Sequence, residues 1–232
     1  MNRVFDVTTS FLATVARLGY AERVGTLGPR PPKPLELYEF EGCPFCRKVR
    51  EAFTVLDLDA IIYPCPKNGP RFREEVKKRG GKAQFPYLVD PNTEQEMYES
   101  DEINRYLFAQ YGSGPVPLML AAGIVTDTMA SAASVMRLGR GSFYRRSNPP
   151  PLLLELYSYE GSPFCRVVRE VLSELELAYL LHNVAHGSAK RDTFVARSGK
   201  MMVPYLIDPN TNVAMFESAD ISSYLRKTYA VT

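Results

Sequence analysis

"EGCPFCRKVRE" runs from Glu41 to Glu51 and "EGSPFCRVVRE" from Glu160 to Glu170, so one stretch occurs twice, 119 positions apart. A second pair, "PYLVDPNTEQEMYES" from Pro86 to Ser100 and "PYLIDPNTNVAMFES" from Pro204 to Ser218, returns at an offset of 118. Two motifs kept in order, with one residue gained or lost between them, mark a duplicated domain with a loop indel. The copies differ at a position that matters chemically: Cys43 of the first is Ser162 in the second.

Working outward, each copy reads in the same order. A β-rich run, "LELYEF" from Leu35 or "LLELYSY" from Leu153, leads into the cysteine motif and a helical pattern. In that helix Val49, Ala52, Phe53 and Leu56 share one face at spacings of three and four, and Arg47, Lys48, Arg50 and Glu51 take the other. Val168, Val171, Leu172 and Leu175 repeat the apolar face. A short strand at Ala60, a charged helix around Arg71 to Arg79, the strand "PYLVD", a turn at Asp90 to Asn92 and a strand ending "MYES" follow. Ser100 is expected to cap a last helix, with Asp101 and Glu102 favoured in its first turn by the dipole.

The domain reading is an N-terminal extension over 1–33, a first domain over 34–111, a linker over 112–150 and a second domain over 151–232. The linker is punctuated by Gly and Pro at both ends and contains an apolar helix. Asp127 and several Thr and Ser residues interrupt that helix, so it is expected to pack on protein rather than span a membrane.

Composition excludes several classes. A formal net charge of +2 gives no reason to expect nucleic acid as a partner. Four cysteines, at 43, 46, 65 and 165, are too few and too uneven for the disulfide framework of a small secreted domain. The first residues lack a signal-peptide layout, because Asp6 and the Thr8, Thr9, Ser10 cluster fall where an apolar core belongs. A reducing, cytoplasmic home is expected, with an organelle interior such as a plastid as the alternative.

Cys43 and Cys46 carry the candidate chemistry. A cysteine at the first turn of a helix gains from unpaired backbone N–H groups and the positive dipole end, which favour thiolate. Pro44 suits the first helical position and leaves Cys43 at the mouth with Cys46 one turn behind, so Cys43 is the natural attacking thiol and Cys46 the resolving one. Arg47 and Lys48 are expected to add to the field. No second C-x-x-C or C-x-x-H accompanies this motif, and the histidines His182 and His186 lie in the other copy, so no metal site is predicted. Cys65 matches Val184 in the second copy and reads as a buried bystander.

"CPFC" after a strand, followed by "FPYLVD" and "MYES", resembles the glutaredoxin and glutathione S-transferase N-terminal branch of the thioredoxin superfamily. The resemblance covers roughly 34–111 and 151–229. It implies an α/β fold of two tandem thioredoxin-like, glutaredoxin-type domains joined by a partly helical linker. It implies a cis Pro86 facing the reactive cysteine, and Phe85, Pro86, Glu99 and Ser100 as glutathione-binding residues. Ser162, Cys165, Val203, Pro204, Glu217 and Ser218 form a possible second site. Glutaredoxins commonly carry a lysine three residues before the first cysteine, where this chain has Phe40 between Glu39 and Glu41.

The function expected is a glutathione-linked thiol–disulfide oxidoreductase. Cys43 attacks a disulfide or glutathionylated cysteine of a protein substrate, Cys46 resolves, glutathione or another dithiol reduces, and the second domain is binding or structural, because a serine hydroxyl cannot exchange with disulfides. The alternative is an iron–sulfur or metal carrier, or a glutathione-binding scaffold without turnover.

Overall fold

The computed structural model describes Ser10, residues 21–121 and residues 139–231. The apolar helix expected inside the linker lies largely outside those residues, as does most of the N-terminal extension. In the first copy the elements are β1 (Leu35–Glu39), α1 (Pro44–Val55), β2 (Ala60–Pro64), α2 (Phe72–Gly80), β3 (Tyr87–Asp90), β4 (Gln95–Tyr98) and α3 (Ser100–Tyr111), followed by a short turn of helix, α4 (Leu118–Ala121). The second copy repeats the order with β5 (Leu154–Ser158), α5 (Pro163–Glu174), β6 (Tyr179–Asn183), α6 (Arg191–Ser198), β7 (Tyr205–Asp208), β8 (Val213–Phe216) and α7 (Ser218–Tyr229). The order of elements read from the sequence is the order observed.

Within each copy the first two strands run parallel and the last two antiparallel, the arrangement of a thioredoxin-like half. The copies then join edge to edge. β2 pairs antiparallel with β6 through Ala60–Leu181, Ile61–Leu180 and Ile62–Tyr179, giving one eight-stranded sheet in the order β4-β3-β1-β2-β6-β5-β7-β8. Each copy thereby covers the strand edge that the other would leave exposed.

Alternation along β1 sends Leu35 and Leu37 to the side of α1 and α3 and Tyr38 to the side of α2. The first side is one continuous core, running from Leu35, Phe53, Leu56 and Ile103 across the junction to Leu154, Val168, Leu172 and Ile221. The other side holds two separate aromatic clusters, around Tyr38, Tyr87 and Val76 and around Tyr157, Tyr205 and Phe194. Asp90 and Asp208 close the two halves in the same way. Each is buried, and each accepts from two tyrosines of its own copy's last helix, Tyr106 and Tyr111 or Tyr224 and Tyr229.

The charged face of α1 does not meet solvent. Arg47, Lys48, Arg50 and Glu51 are all within 2% of complete burial, because α1 packs against the second copy's motif loop and α5. Arg50 donates from Nε to Glu160 at 2.9 Å and pairs with Glu39, and its Nη2 reaches the Glu41 carbonyl at 3.2 Å. Arg169 answers from the other copy, donating from Nε to Glu41 at 3.0 Å and lying 2.7 Å from Glu160, while its Nη1 reaches Ser158 Oγ at 3.1 Å. Lys48 turns instead to Asp101 on α3, at 2.5 Å. Buried charges of this density persist only when paired and hydrogen-bonded.

The segments before the two copies also belong to the repeat. Residues 21–25 begin on the second copy: Gly161 N–H donates to the Ala21 carbonyl and His186 N–H to the Glu22 carbonyl, before Gly25 returns to Val55 of the first. Residues 141–145 do the reverse. Lys67 N–H donates to the Ser142 carbonyl, Tyr144 N–H to the Lys67 carbonyl, and Arg145 then returns to Glu174 of the second copy. Ala21 and Gly141 both take left-handed backbone, at φ 64 and 69. The chain thus has two crossing arms, each laid over the other copy's motif before it enters its own.

Candidate active site

The loop between β1 and α1 fixes Cys43. Its N–H donates to the Phe40 carbonyl at 3.0 Å, its backbone is extended (φ −80, ψ 122), and Pro44 starts the helix. In that position the Cys43 Sγ accepts from Cys46 N–H at 3.3 Å. The thiol does the work an N-cap oxygen usually does. Burial opposes its ionisation, but hydrogen bonds from the Cys46 thiol and backbone N–H, with Arg50 beyond them, outweigh that and hold Cys43 below the ordinary thiol range. Cys46 is pushed well above that range, by burial first and then by its hydrogen bond to Cys43 and the charges of Cys43 and Glu39. One thiol is prepared to attack and the other to keep its proton.

Two sequence expectations are corrected here. Arg50, not Arg47 or Lys48, is the cation that acts on Cys43, because those two are turned to Glu160 and Asp101. Cys43 is also not at an open mouth, being 4% exposed. The arm lies against the residue before it: a Cβ added to Gly42 would lie 1.9 Å from Ser142 Oγ and 3.1 Å from the Arg140 carbonyl.

Phe85, Pro86, Glu99 and Ser100 come together as the walls of a cavity of about 320 Å³, completed by Phe45 and Gln84. The Phe85–Pro86 peptide is cis, as is Val203–Pro204. Phe45, nearly half exposed, links the motif to the cavity, whereas Cys43 itself does not line it. Ser100 is not the cap. Glu99 takes the N-cap position with left-handed backbone (φ 66) and no side-chain cap bond, and its carboxylate accepts from Gln84 Nε2 at 2.5 Å. Left-handed backbone at a non-glycine residue is costly and collects at functional sites. Glu217 repeats it at φ 70.

In the second copy Ser162 Oγ accepts from Cys165 N–H at 3.3 Å, matching the Cys43 geometry with an oxygen. Val203, Pro204, Glu217 and Ser218, with Phe164 and Met202, line a smaller cavity of about 170 Å³. Cys165 is buried behind Ser162. Phe45, Gln84, Phe164 and Met202 are the lining residues that sequence reasoning passed over. The signal for Phe45 and Phe164 was present, since an exposed apolar residue recurs inside both copies of the motif.

All four cysteines are free thiols. Cys65 is fully buried beside Tyr38 and Val76, and burial pushes its thiol well up, in keeping with the bystander reading. His186 lies in an exposed loop as expected, but His182 sits on β6 between Asp59 (3.1 Å) and Glu155 (3.3 Å). Among the described residues no three His, Cys, Asp or Glu side chains gather in a way that could hold a metal ion. Among the same residues no helix is long and apolar enough to cross a membrane.

Comparison with known proteins is consistent with this geometry. The family model of the glutathione S-transferase N-terminal domain matches residues 37–115 and again residues 156–231, together more than half the chain. No curated protein matches. Among solved structures, a glutathione transferase of Bombyx mori, solved alone and in complex with GTT, is 29% identical over 37% of this chain and 39% of its own, with a TM-score of 0.33. A trimeric glutathione transferase of Leishmania is 14% identical over 86% of this chain and 68% of its own, with a TM-score of 0.30. This chain thus spans about two fifths of the Bombyx mori protein it matches. On the strength of the two matched segments, it belongs to the glutathione S-transferase N-terminal-domain family.

Proposed function

We propose that the protein is a glutathione-linked thiol–disulfide oxidoreductase in which Cys43 attacks, Cys46 resolves, and the second copy binds or supports without turnover. One observation carries this reading: the Cys43 Sγ is an N-cap held below the ordinary thiol range while Cys46, one turn behind, is held above it. An attacking thiol needs thiolate character, and a resolving thiol must wait until the mixed disulfide has formed. The adjacent cavity of Phe45, Gln84, Phe85, Pro86, Glu99 and Ser100 supports glutathione as the co-substrate. It lies at the start of α3, where backbone N–H groups favour a carboxylate. Free thiols at all four cysteines fit a reducing compartment, the cytoplasm or an organelle interior such as a plastid.

The burial of Cys43 at 4% exposure favours a second reading, a glutathione-binding scaffold whose thiol is not turned over. Equilibration in glutathione redox buffers, followed by alkylation and mass spectrometry of Cys43, Cys46, Cys65 and Cys165, separates the two. A reversible Cys43–Cys46 bond or a glutathione adduct on Cys43 is expected. If Cys43 stays unmodified across the range while glutathione still binds, the scaffold reading replaces the enzyme.

A further inference from the structure

A second cavity, of about 520 Å³, opens where the two copies meet and shares no lining residue with the cavity of Phe85 and Pro86. Its apolar wall is Pro31, Pro32 and Pro34 from the stretch before β1, with Leu58 ahead of β2 and Leu180 on β6. Arg30, Asp57, Asp59, His182 and Lys190 supply the polar part. A volume in this range, apolar walls and a few converging polar groups describe a small-molecule site.

The repeat shows that the fold does not require these polar groups. Asp57, Asp59, His182 and Lys190 correspond to Glu176, Ala178, Tyr63 and Arg71. On that side of the junction one arginine closes the contact. Arg71 donates from Nε to Glu176 at 3.1 Å and from Nη2 to the Leu175 carbonyl at 2.9 Å, and Glu176 also accepts from the Arg71 and Phe72 N–H groups. On the cavity side the two duties are split. Arg30 donates to the Leu56 and Tyr111 carbonyls, at 2.5 and 2.6 Å, and Lys190 serves the carboxylates. Lys190 is shared, its Nζ lying 2.5 Å from Asp59 and 3.2 Å from Asp57. Asp57 is 8% exposed, and its Oδ1 has no hydrogen bond, because the ammonium 3.2 Å away fails the geometry of one.

Charge decides what the cavity accepts. Asp57, Asp59 and Glu155, which His182 joins to Asp59, are three carboxylates, whereas Lys190 and Arg197 are two cations. Arg30 does not make up the difference, because its guanidinium is turned to carbonyls at the C-terminal, negative ends of α1 and α3. Burial, only partly offset by Lys190 and the Ser188 hydroxyl, raises the Asp57 carboxyl, as expected where positive charge is short. Asp59 is the reachable acceptor. Its side chain is 30% exposed, and its Oδ2, which meets His182 Nδ1 at 3.1 Å, has a second lone pair to offer. We propose that this cavity is a second ligand site, taking an organic cation whose apolar body lies against the proline wall and whose N–H donors face Asp59. The site stands apart from the thiol chemistry and does not depend on it.

The test titrates the full chain at pH 7 with two dyes that change fluorescence on leaving water. Proflavine is a flat aromatic cation with N–H donors, and 8-anilinonaphthalene-1-sulfonate is an aromatic anion. Proflavine should bind at one site per chain, roughly tenfold or more tighter than the anion. Asp59→Asn keeps an acceptor for the Asn183 N–H and should weaken proflavine on the order of tenfold without weakening the anion. Ala189→Trp, at an exposed lining position, should fill the cavity and abolish proflavine binding, and it also covers the case of a poorly folded Asn variant. Equal affinity for the two dyes overturns the assignment, as does proflavine binding that survives both substitutions. Failure of proflavine to saturate a site also overturns it. Each of these outcomes leaves the oxidoreductase reading of Cys43 where it stood.

Discussion

Replacing Glu160 by Gln should cost more than any other single change at the junction of the copies. Its carboxylate lies 2.9 Å from Arg50, 2.7 Å from Arg169, 3.9 Å from Arg166 and 4.0 Å from Arg47, every partner within 3% of full burial. The amide keeps the shape and removes the charge, leaving the four arginines without the carboxylate that all of them approach. Breaking a buried ion pair by removing one partner costs roughly 3–5 kcal/mol. For a chain of this size that is a fall in Tm of about 6–20 °C. Because the chain has no tryptophan, urea unfolding is best followed by far-UV circular dichroism. The pH dependence fixes the cause. Burial opposes the Glu160 charge, but Arg169, Arg50, Arg47 and Arg166 together hold the carboxyl far below its usual value. A depressed folded-state pKa contributes stability that is full above the unfolded value and lost as pH falls below it. The gap between wild type and variant should therefore shrink as pH falls below about 4. A loss under about 1 kcal/mol at pH 7, or a gap that ignores acid, would refute the view that Glu160 organises the cluster.

Gly42→Ala should drive the arm off the motif, since its Cβ would meet Ser142 Oγ at 1.9 Å; Cys43 should alkylate severalfold faster, and adding Ser142→Gly should return the rate to wild type. Unchanged alkylation would mean that the arm does not govern access. Ser162→Cys restores both cysteines in the second copy, so mass spectrometry should find a glutathione adduct there as on Cys43. Absence of any adduct would show that more than the nucleophile is missing. Arg71→Ala removes bonds to Glu176, Ser147 and the Leu175 carbonyl, and should cost roughly 2–3 kcal/mol in urea titrations. A cost within error of zero would mean that solvent replaces the guanidinium at this contact.

Much of the architecture could be read from the repeat, because strand and helix periods are local and each copy checks the other. Val49, Ala52, Phe53 and Leu56 face the core as their spacing predicts. The same spacing says that Arg47, Arg50 and Glu51 share a polar face, but not what covers it. A polar face can meet water or a second polar face of complementary charge, and here Glu160 and Arg169 supply the latter. Phe85, Pro86, Glu99 and Ser100 line one cavity, whereas the left-handed Glu99 displaced Ser100 from the cap, a choice no propensity reveals. The screened state of Cys43 was hidden for another reason. The motif meets an arm about a hundred residues away, Ser142 against Gly42, although "RLG" at Arg17 to Gly19 and again at Arg137 to Gly139 shows that the arms are repeated too.

The crossing arms describe a history. A single ancestral unit with its arm would have had no motif of another copy to cover and an uncovered β2 edge, and both needs are met by a second unit exchanging arms with the first. The half with Ser162 supplies the arm and the countercharges of the half with Cys43. Excising the first half would therefore remove part of its own site, and the smallest piece with an intact Cys43 environment includes both copies.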